Sequence, residues 1–391
     1  MKFKLASLAL AGACLCAALM GGPALAQTQG VSKDQIIIGS IQDLSGPVAG
    51  LSKPVKSGME MRAEEINQQG GVNGRKLVLK FEDSGYDPKR AVLAAQKLID
   101  QDKIFIMMSH TGSASNIAAF PVLSEKNVIN FFPVASAREM YEPLNRLKYA
   151  YSSTYYDQVM QTMPRLVKEK NARKVCVIYQ DDDFGQEVMR GTDDGLKTIG
   201  MALSEKASFK RGATDFSSQV SRMKAAGCDF VVLGTIIRET VGVMTQARKL
   251  DFNPTFFSTS AAYADVIHKL GGKAVDGLYA SMTVQQPYLD DDSPALRAWA
   301  DKYKAKFNEA PQVYAVYGYN AVDIFAKVAL KAGPDLTTDS FIKAMDSTTL
   351  PPDMFGAPEM SFSPTKHLGS NQARISQIRN GRWQVVSGYA K

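Results

Sequence analysis

Short apolar runs alternate with amphipathic segments along most of the chain. In the first half the apolar runs occupy four ranges: 36–40, 77–82, 104–109 and 128–132. Helical repeats follow them, beginning near Lys53, Pro88, Ser115 and Ala137. Short buried runs separated by single helices are typical of parallel β-sheets that carry helices on both faces. The pattern therefore predicts an α/β fold with a doubly wound parallel sheet.

The same rhythm restarts after a polar segment near residue 151. The second set of predicted strands has five members: 174–179, 202–209, 229–234, 255–258 and 277–281. Two closing runs, 373–379 and 383–387, flank Asn380-Gly381, a dipeptide typical of a tight β-hairpin turn. The chain has 391 residues, which is more than one hydrophobic core usually organises. We therefore expect two lobes, each with its own sheet.

Turn motifs divide the first βαβ unit. They are Leu44-Ser45-Gly46-Pro47, Gly70-Gly71-Val72-Asn73-Gly74-Arg75 and Asp87-Pro88. The first opens a helix, the second ends it, and the third starts the next helix after an intervening strand. In this order they resemble the leucine/isoleucine/valine-binding family of type I periplasmic solute-binding proteins. The resemblance extends over nearly the whole mature chain.

The resemblance implies two doubly wound lobes joined by a three-strand hinge. In the family the chain crosses three times between the lobes, which assigns 27–151 plus 283–366 to lobe 1 and 152–282 plus 367–391 to lobe 2. The helices at 295–307 and 316–333 would then return to lobe 1. Such a hinge allows the lobes to close on a ligand in the cleft between them.

The N-terminus predicts export from the cytoplasm. Lys2 and Lys4 precede a short apolar stretch, and Pro23-Ala24-Leu25-Ala26 offers small residues where a signal peptidase cleaves. We predict a signal peptide at 1–26, cleaved after Ala26, and a periplasmic mature protein. Loss of the two lysines lowers the formal net charge from +7 to +5. Basic residues are spread among acids elsewhere, so no nucleic-acid partner is expected.

The sequence offers no constellation typical of catalysis. His110, His268 and His367 lie far apart, and no spacing places two of them on one helix face, so we expect no metal site and no cofactor. Serine-nucleophile and phosphate-loop motifs are absent from the sequence. Asp181-Asp182-Asp183 is interpreted as a helix cap rather than a cation site. We therefore expect a binding protein and not an enzyme.

Two cysteines remain after removal of the signal peptide. Cys176 and Cys228 lie on or beside predicted strands of the second half. Cysteine often behaves as a small core residue, so we interpret them as buried free thiols. A secreted protein also permits a disulfide, which is the alternative.

Candidate ligand donors follow two strands of lobe 1. The loop after 104–109 carries Gly112, Ser113 and Ser115 at the start of a helix, and the loop after 128–132 carries Val134 and Ser136. Ligands bind at the carboxyl ends of strands in open α/β sheets, where helix amides and hydroxyls can hold a carboxylate.

The resemblance assigns the carboxylate grip to the serines of these two loops. It also places Leu51 beside the ligand. For any one serine in isolation, an ordinary helix cap is the favoured interpretation, and it is the pair of loops that favours binding.

Lobe 2 departs from the amino-acid binders. Phe184 matches the aromatic residue that packs on the ligand in the family, although it could equally pack in the core. Ile236 falls where a tyrosine is common, and Ser260 falls where an acid pairs with the ligand ammonium. No Asp or Glu lies between Phe252 and Ala264. An unpaired buried ammonium costs several kcal/mol, so an α-amino acid is disfavoured.

These features predict the substrate-binding component of an ABC importer. We expect a small organic carboxylate with an aromatic or apolar body as the ligand, a permease and ATPase complex in the membrane as partner, and a monomer. Branched-chain amino acids or amides are the alternative ligands. A ligand-binding partner of a membrane chemosensor is the alternative role.

Overall fold

The computed structural model describes residues 28–389 of the chain. The predicted signal peptide at 1–26 lies outside these residues. Within 28–389, no helix combines the length and the apolar character that crossing a membrane requires. The described chain folds into two α/β lobes, which confirms the predicted fold class.

Lobe 1 contains five parallel strands in the order β2-β1-β3-β4-β5. Their bounds are β1 Gln35–Gln42, β2 Lys76–Asp83, β3 Ile106–Met108, β4 Ile129–Phe131 and β5 Lys148–Tyr149. The helices between them are α1 Ala49–Gln68, α2 Pro88–Asp100 and α3 Ser113–Glu125. Helix α2 begins as predicted, because Asp87 accepts hydrogen bonds from the amides of Lys89 and Arg90.

Lobe 2 contains seven strands in the order β14-β13-β10-β9-β8-β6-β7. Their bounds are β6 Val175–Gln180, β7 Glu205–Phe209, β8 Phe230–Gly234, β9 Thr255–Ser258, β10 Tyr279–Met282, β13 Arg374–Arg379 and β14 Arg382–Val385. The helices are α4 Tyr155–Glu169, α5 Asp183–Lys197, α6 Ser217–Ala225, α7 Ile237–Lys249 and α8 Val266–Gly271. Strand β13 runs antiparallel to β10 and β14, and the Asn380-Gly381 hairpin forms as predicted.

The chain then returns to lobe 1 before it completes lobe 2. The returning elements are α9 Pro294–Phe307, α10 Val313–Ala332, α11 Thr338–Met345 and a small ribbon of β11 Thr349–Leu350 and β12 Met360–Ser361. Helix α10 crosses α1 at very short range. A Cβ atom at Gly58 would lie 1.9 Å from the Ala315 carbonyl oxygen, so this crossing requires glycine.

Three crossovers lie side by side between the lobes. The Ala150 amide donates to the His367 carbonyl at 2.9 Å, and the Gly369 amide donates to the Ala150 carbonyl at 3.0 Å. The Ser152 hydroxyl donates to Thr283 Oγ1 at 3.3 Å and so joins the first crossover to the second. This arrangement is the expected hinge. The lobe boundaries at 151, 282 and 366 stay predictions.

The interpretation of Cys176 and Cys228 as free thiols is wrong. They form a disulfide whose Cα atoms are 6.0 Å apart. Cys176 lies in β6 and Cys228 lies two residues before the start of β8. These strands are neighbours in the sheet although β7 separates them in the chain. The sequence does not reveal this strand order, which is what brings the two sulfur atoms within bonding distance.

The helix predicted near Ala137 is also wrong. Only a three-residue 3₁₀ helix forms there, at Arg138–Met140. Glu142 precedes Pro143, and the residue before a proline is disfavoured in the helical conformation. Proline also lacks the amide that would continue the turn.

Candidate ligand-binding cleft

The loop between β3 and α3 forms the centre of the lobe 1 wall. Gly112 adopts a φ of +95°, and a Cβ atom there would lie 2.8 Å from Cε2 of Tyr86. Both the conformation and the close approach require glycine. The Gly112 amide donates to the Val134 carbonyl at 3.1 Å, and the Val134 amide donates to the His110 carbonyl at 3.0 Å. The two candidate loops of lobe 1 are therefore tied together by their backbones.

Two hydroxyl groups at the start of α3 have no hydrogen-bond partner in the part of the chain that the structure describes. Ser113 and Ser115 are 2% and 1% exposed, and neither Oγ atom makes a hydrogen bond among the described residues. The first turn of a helix carries free amides and a partial positive charge. Buried donors without a protein partner at such a position suit an anionic oxygen of a bound molecule.

Ser136 contacts Tyr155, the first residue of α4. The Tyr155 amide donates to the Ser136 carbonyl at 2.6 Å. The Tyr155 hydroxyl lies beside the amide and hydroxyl of Ser136. Burial raises the pKa of Tyr155 to about 12, although these hydrogen bonds oppose the shift. The phenol is therefore neutral at physiological pH, and it lies beside Ser136 in the second of the two candidate ligand-binding loops.

The wall contributed by lobe 2 is apolar. Phe184, in the first turn of α5, packs edge-on against Tyr155 with ring centroids 4.8 Å apart. Ile236 precedes α7 at its N-cap position and is 6% exposed. Ser260 donates its amide to Gln158 Oε1 at 2.9 Å. The predicted helix cap in the aspartate cluster is confirmed, because Asp182 accepts from the Gly185 amide at 3.2 Å.

These walls enclose two adjoining cavities of about 40 and 30 Å³. Val134, Tyr155 and Tyr314 line both of them. Cavities of this size hold only about two or three water molecules each. The lobes contact each other beside them, because the Tyr314 hydroxyl donates to the Ser260 carbonyl. Among residues 28–389, no charged side chain lines either cavity.

The structure brings most of the predicted site residues to these cavities. Ser136, Ser260 and Val134 line the larger one, and the smaller is lined by Val134 together with Leu51, Gly112, Ser113, Phe184 and Ile236. Ser115 lies two residues after Ser113 in α3 and lines neither cavity. The contacts of all these residues with a ligand stay predictions.

Aromatic side chains supply the part of the site that the sequence analysis missed. They are Tyr86, Tyr151, Tyr155, Tyr314 and Tyr317. Tyr314 reaches from α10 across the cleft, where its hydroxyl donates to the Ser260 carbonyl at 2.9 Å. A spacing of three residues on one helix face was a signal for Tyr314 and Tyr317, but it is equally typical of core packing.

An acid lies near this region without lining it. Glu239, in the first turn of α7, is 2% exposed, and its Oε2 has no hydrogen-bond partner among the described residues. Burial raises the pKa of Glu239, which favours the neutral form. The described part of the chain contains no group of three or more metal-ligating side chains that could hold a metal ion.

Two lobes, a three-strand hinge and a cleft at the carboxyl ends of parallel strands define a solute-binding clamp. The chain belongs to the periplasmic binding protein family, whose model matches residues 35–382. The Leu/Ile/Val/Thr-binding protein of Salmonella typhimurium is 26% identical over 321 residues, which cover 82% of this chain and 85% of the relative.

Solved structures share the fold at low sequence identity. A branched-chain amino acid ABC transporter protein from Thermus thermophilus with bound valine has a TM-score of 0.82 at 17% identity, covering 92% of this chain and 97% of the other. A solute-binding protein from R. palustris in complex with benzoate has a TM-score of 0.81 at 16% identity, covering 91% and 96%.

Family membership defines the function at a coarse level. The chain is a periplasmic solute-binding component of an ABC transporter, with a small-molecule ligand and with a membrane permease and ATPase as partners. A family of binding proteins also supports the expectation of a protein without catalytic activity.

Proposed function

We propose that this protein binds a small organic carboxylate with an apolar or aromatic body and delivers it to an ABC importer. The observation that carries the proposal is the pair of buried hydroxyls of Ser113 and Ser115 at the start of α3, which have no partner among residues 28–389. Ser113 borders a cavity that no charged side chain lines, among the residues that the structure describes.

The carboxylate end of the ligand belongs at the lobe 1 wall. A carboxylate oxygen there can accept from the Ser113 hydroxyl and from free amides of the first turn of α3. Hydrogen bonds to an ionised acceptor are about twice as strong as neutral ones. The hydroxyl of Ser136 and that of Tyr155 extend this polar surface into the adjoining cavity.

The body of the ligand belongs between aromatic and aliphatic side chains. Phe184 and Ile236 from lobe 2 face Leu51 and Val134 from lobe 1. An ammonium group in this space has no carboxylate beside it and costs several kcal/mol to desolvate. A ring or a branched alkyl chain has no such cost and gains from burial.

A branched-chain amino acid is the second candidate ligand. The names of the curated relatives favour it, since the Salmonella relative is a Leu/Ile/Val/Thr-binding protein. Glu239 is a buried acid three residues after the cavity-lining Ile236, and its Oε2 has no hydrogen-bond partner among the described residues, so it is a candidate partner for an ammonium. The fold does not choose between the candidates, because the valine-bound and benzoate-bound neighbours have nearly equal TM-scores.

Further elements of the function are proposed on the same basis. Cleavage after Ala26 releases the mature chain, which acts as a monomer. The residues that contact the bound molecule are Leu51, Gly112, Ser113, Val134, Ser136, Phe184, Ile236 and Ser260. Ser115, two residues after Ser113 in α3, supports the carboxylate grip.

Mass spectrometry of small molecules released from the purified protein tests the proposal. We expect a carboxylic acid without an amino group. Thermal melting against benzoate, 3-phenylpropionate, 4-methylvalerate, leucine and leucinamide provides a second test, because a ligand raises the melting temperature with the logarithm of its concentration over Kd. Release of leucine, isoleucine or valine, with a melting shift for leucine alone, would contradict the proposal.

A further inference from the structure

An arginine of lobe 2 reaches lobe 1 just outside the cavities. Arg211 lies in the loop after β7, and its Nη1 donates to the Tyr86 carbonyl at 2.9 Å. Its guanidinium carbon is 4.7 Å from the centroid of the Tyr86 ring. A planar guanidinium can donate hydrogen bonds and stack on an aromatic ring at the same time, which a lysine ammonium cannot.

Arg211 is held in place by its own lobe. Its Nη2 donates to Asp182 Oδ2 at 2.7 Å, and Gln180 Nε2 donates to the same oxygen at 2.6 Å. Asp182 in turn caps α5 through the Gly185 amide. These partners all belong to lobe 2, so the guanidinium is already oriented before the two lobes close on each other.

Tyr86 connects this contact to the cavity. It lies in the loop after β2, is 6% exposed, and lines the smaller cavity. One edge of its ring lies against Gly112, where a Cβ atom would come within 2.8 Å. The Tyr86 ring therefore has Gly112 of lobe 1 on one side and Arg211 of lobe 2 within stacking distance, and it is a wall of the cavity itself.

We infer that Arg211 is a positioning residue that couples closure of the lobes to completion of the ligand cavity. It lines neither cavity. It strengthens binding by stabilising the closed state, because opening the lobes removes the carbonyl bond and the ring contact while Asp182 remains. The inference rests on the proposed function of a closing clamp, but not on whether the solute is an organic acid or an amino acid.

The test compares Arg211→Ala with Arg211→Lys and with the control Arg222→Ala. Arg222 is also a lobe 2 arginine, but its partner is Glu205 in the same lobe, at 2.8 Å. Affinities and dissociation rates are measured for benzoate and for leucine. We expect Arg211→Ala to weaken binding about tenfold, mainly through faster dissociation. Arg211→Lys should restore part of the loss, and Arg222→Ala should bind as the wild type does.

A second readout needs no ligand. Spin labels on the two lobes report the interlobe distance, and Arg211→Ala should shift the distribution of the ligand-free protein to longer distances than Arg222→Ala does. Equal affinities and equal distance distributions for the two variants would overturn the inference. If the wild type binds none of benzoate, 3-phenylpropionate, 4-methylvalerate and leucine, the proposed function fails, and an unshifted distance distribution alone then overturns the inference.

Discussion

The two walls of the cleft differ in chemistry although both stand at the ends of parallel strands. The lobe 1 wall presents Ser113 and Ser115 at the start of α3, and their hydroxyls have no partner within residues 28–389. The lobe 2 wall presents Phe184 and Ile236 at equivalent helix starts, and their side chains are apolar. The same supersecondary unit therefore offers hydroxyl donors in one lobe and apolar side chains in the other. In the proposed function the first wall holds an anion and the second holds an apolar body.

On the proposed function, this difference would give a bound molecule one orientation. Its carboxylate would satisfy the donors of lobe 1 that have no partner among the described residues, and its remaining atoms would contact lobe 2. Only a molecule that contacts both walls stabilises the closed form, because closure follows differential affinity for the two states. The predictions below test this division of roles by weakening one lobe or by exchanging its chemistry.

The largest effect is expected from removal of the lobe 2 disulfide. Replacing Cys176 and Cys228 with alanine opens a loop whose ends are 52 residues apart, which should lower the free energy of unfolding by about 4 kcal/mol. Urea unfolding of the variant, followed by tryptophan fluorescence, measures the loss. Addition of a reductant should destabilise the wild type but not the variant. An unchanged unfolding midpoint would show that the bridge does not stabilise lobe 2.

An acid placed in the lobe 2 wall should reverse the ligand preference. Ser260→Asp puts a carboxylate where the resemblance places the acid of the amino-acid binders. This carboxylate would repel the carboxylate of an organic acid bound in the same cleft. We expect benzoate or 4-methylvalerate affinity to fall by about 3 kcal/mol, or more than 100-fold, and leucine affinity to rise. Ser260→Asn is the neutral control of matching size. If Ser260→Asp binds benzoate and 4-methylvalerate as tightly as the wild type does, Ser260 does not belong to the ligand site.

Loss of a donor in the lobe 1 wall should weaken binding less. Ser113→Ala removes one charge-assisted hydrogen bond, worth about 1.5–3 kcal/mol, so Kd should rise about tenfold or more. Ser124→Ala, at the other end of α3, is the matched control and should bind normally. Isothermal titration with benzoate or 4-methylvalerate measures both. Equal affinities in the two variants would remove Ser113 from the carboxylate grip.

The smallest effect concerns the loop that supports the lobe 1 wall. Burial alone would raise the pKa of Asp83, but hydrogen bonds from Ser45 and from the amides of Leu44 and Gly85 lower it to about 2, against an ordinary 3.8. The ionised form is therefore favoured on folding, and its contribution is present above about pH 4 and lost as pH falls toward 2. Asp83→Asn should cost about 1–2 kcal/mol at pH 7.

Urea unfolding at pH 7, 4 and 3 checks this prediction. The difference between wild type and Asp83→Asn should shrink as the pH falls, because protonated aspartic acid and asparagine are both neutral. A difference that stays constant over this range would mean that ionisation of Asp83 does not stabilise the loop.

The sequence predicted where the strands and helices lie along the chain better than it predicted which of them are adjacent in space. Alternation of apolar runs and amphipathic segments located the strands because each is short and buried, and Asp87-Pro88 located a helix start to the residue. The disulfide was missed because it depends on strand order: Cys176 and Cys228 meet only since β6 and β8 are adjacent. The wrong prediction of a helix near Ala137 has a local cause instead, because Pro143 disfavours continuation of a helix there.

The site shows the same limit. Loops at strand ends were predictable, since the fold brings those ends to one edge of each sheet. Tyr314 and Tyr317 of α10 were not predictable, because an aromatic residue on a helix face is as typical of a hydrophobic core as of a ligand cleft. Arg211 lies in a polar loop that reads as solvated surface, and only the closed arrangement of the lobes places it beside Tyr86.

The central claim is that the cleft holds a carboxylate but has no place for an ammonium. Calorimetric titration with 4-methylvalerate and with leucine tests it most directly, because the two molecules share one carbon skeleton and differ by the amino group. We predict that 4-methylvalerate binds at least about tenfold more tightly than leucine, and that 3-phenylpropionate exceeds phenylalanine in the same way. Tighter binding of leucine or phenylalanine would contradict the account and would direct attention to Glu239 as the missing partner.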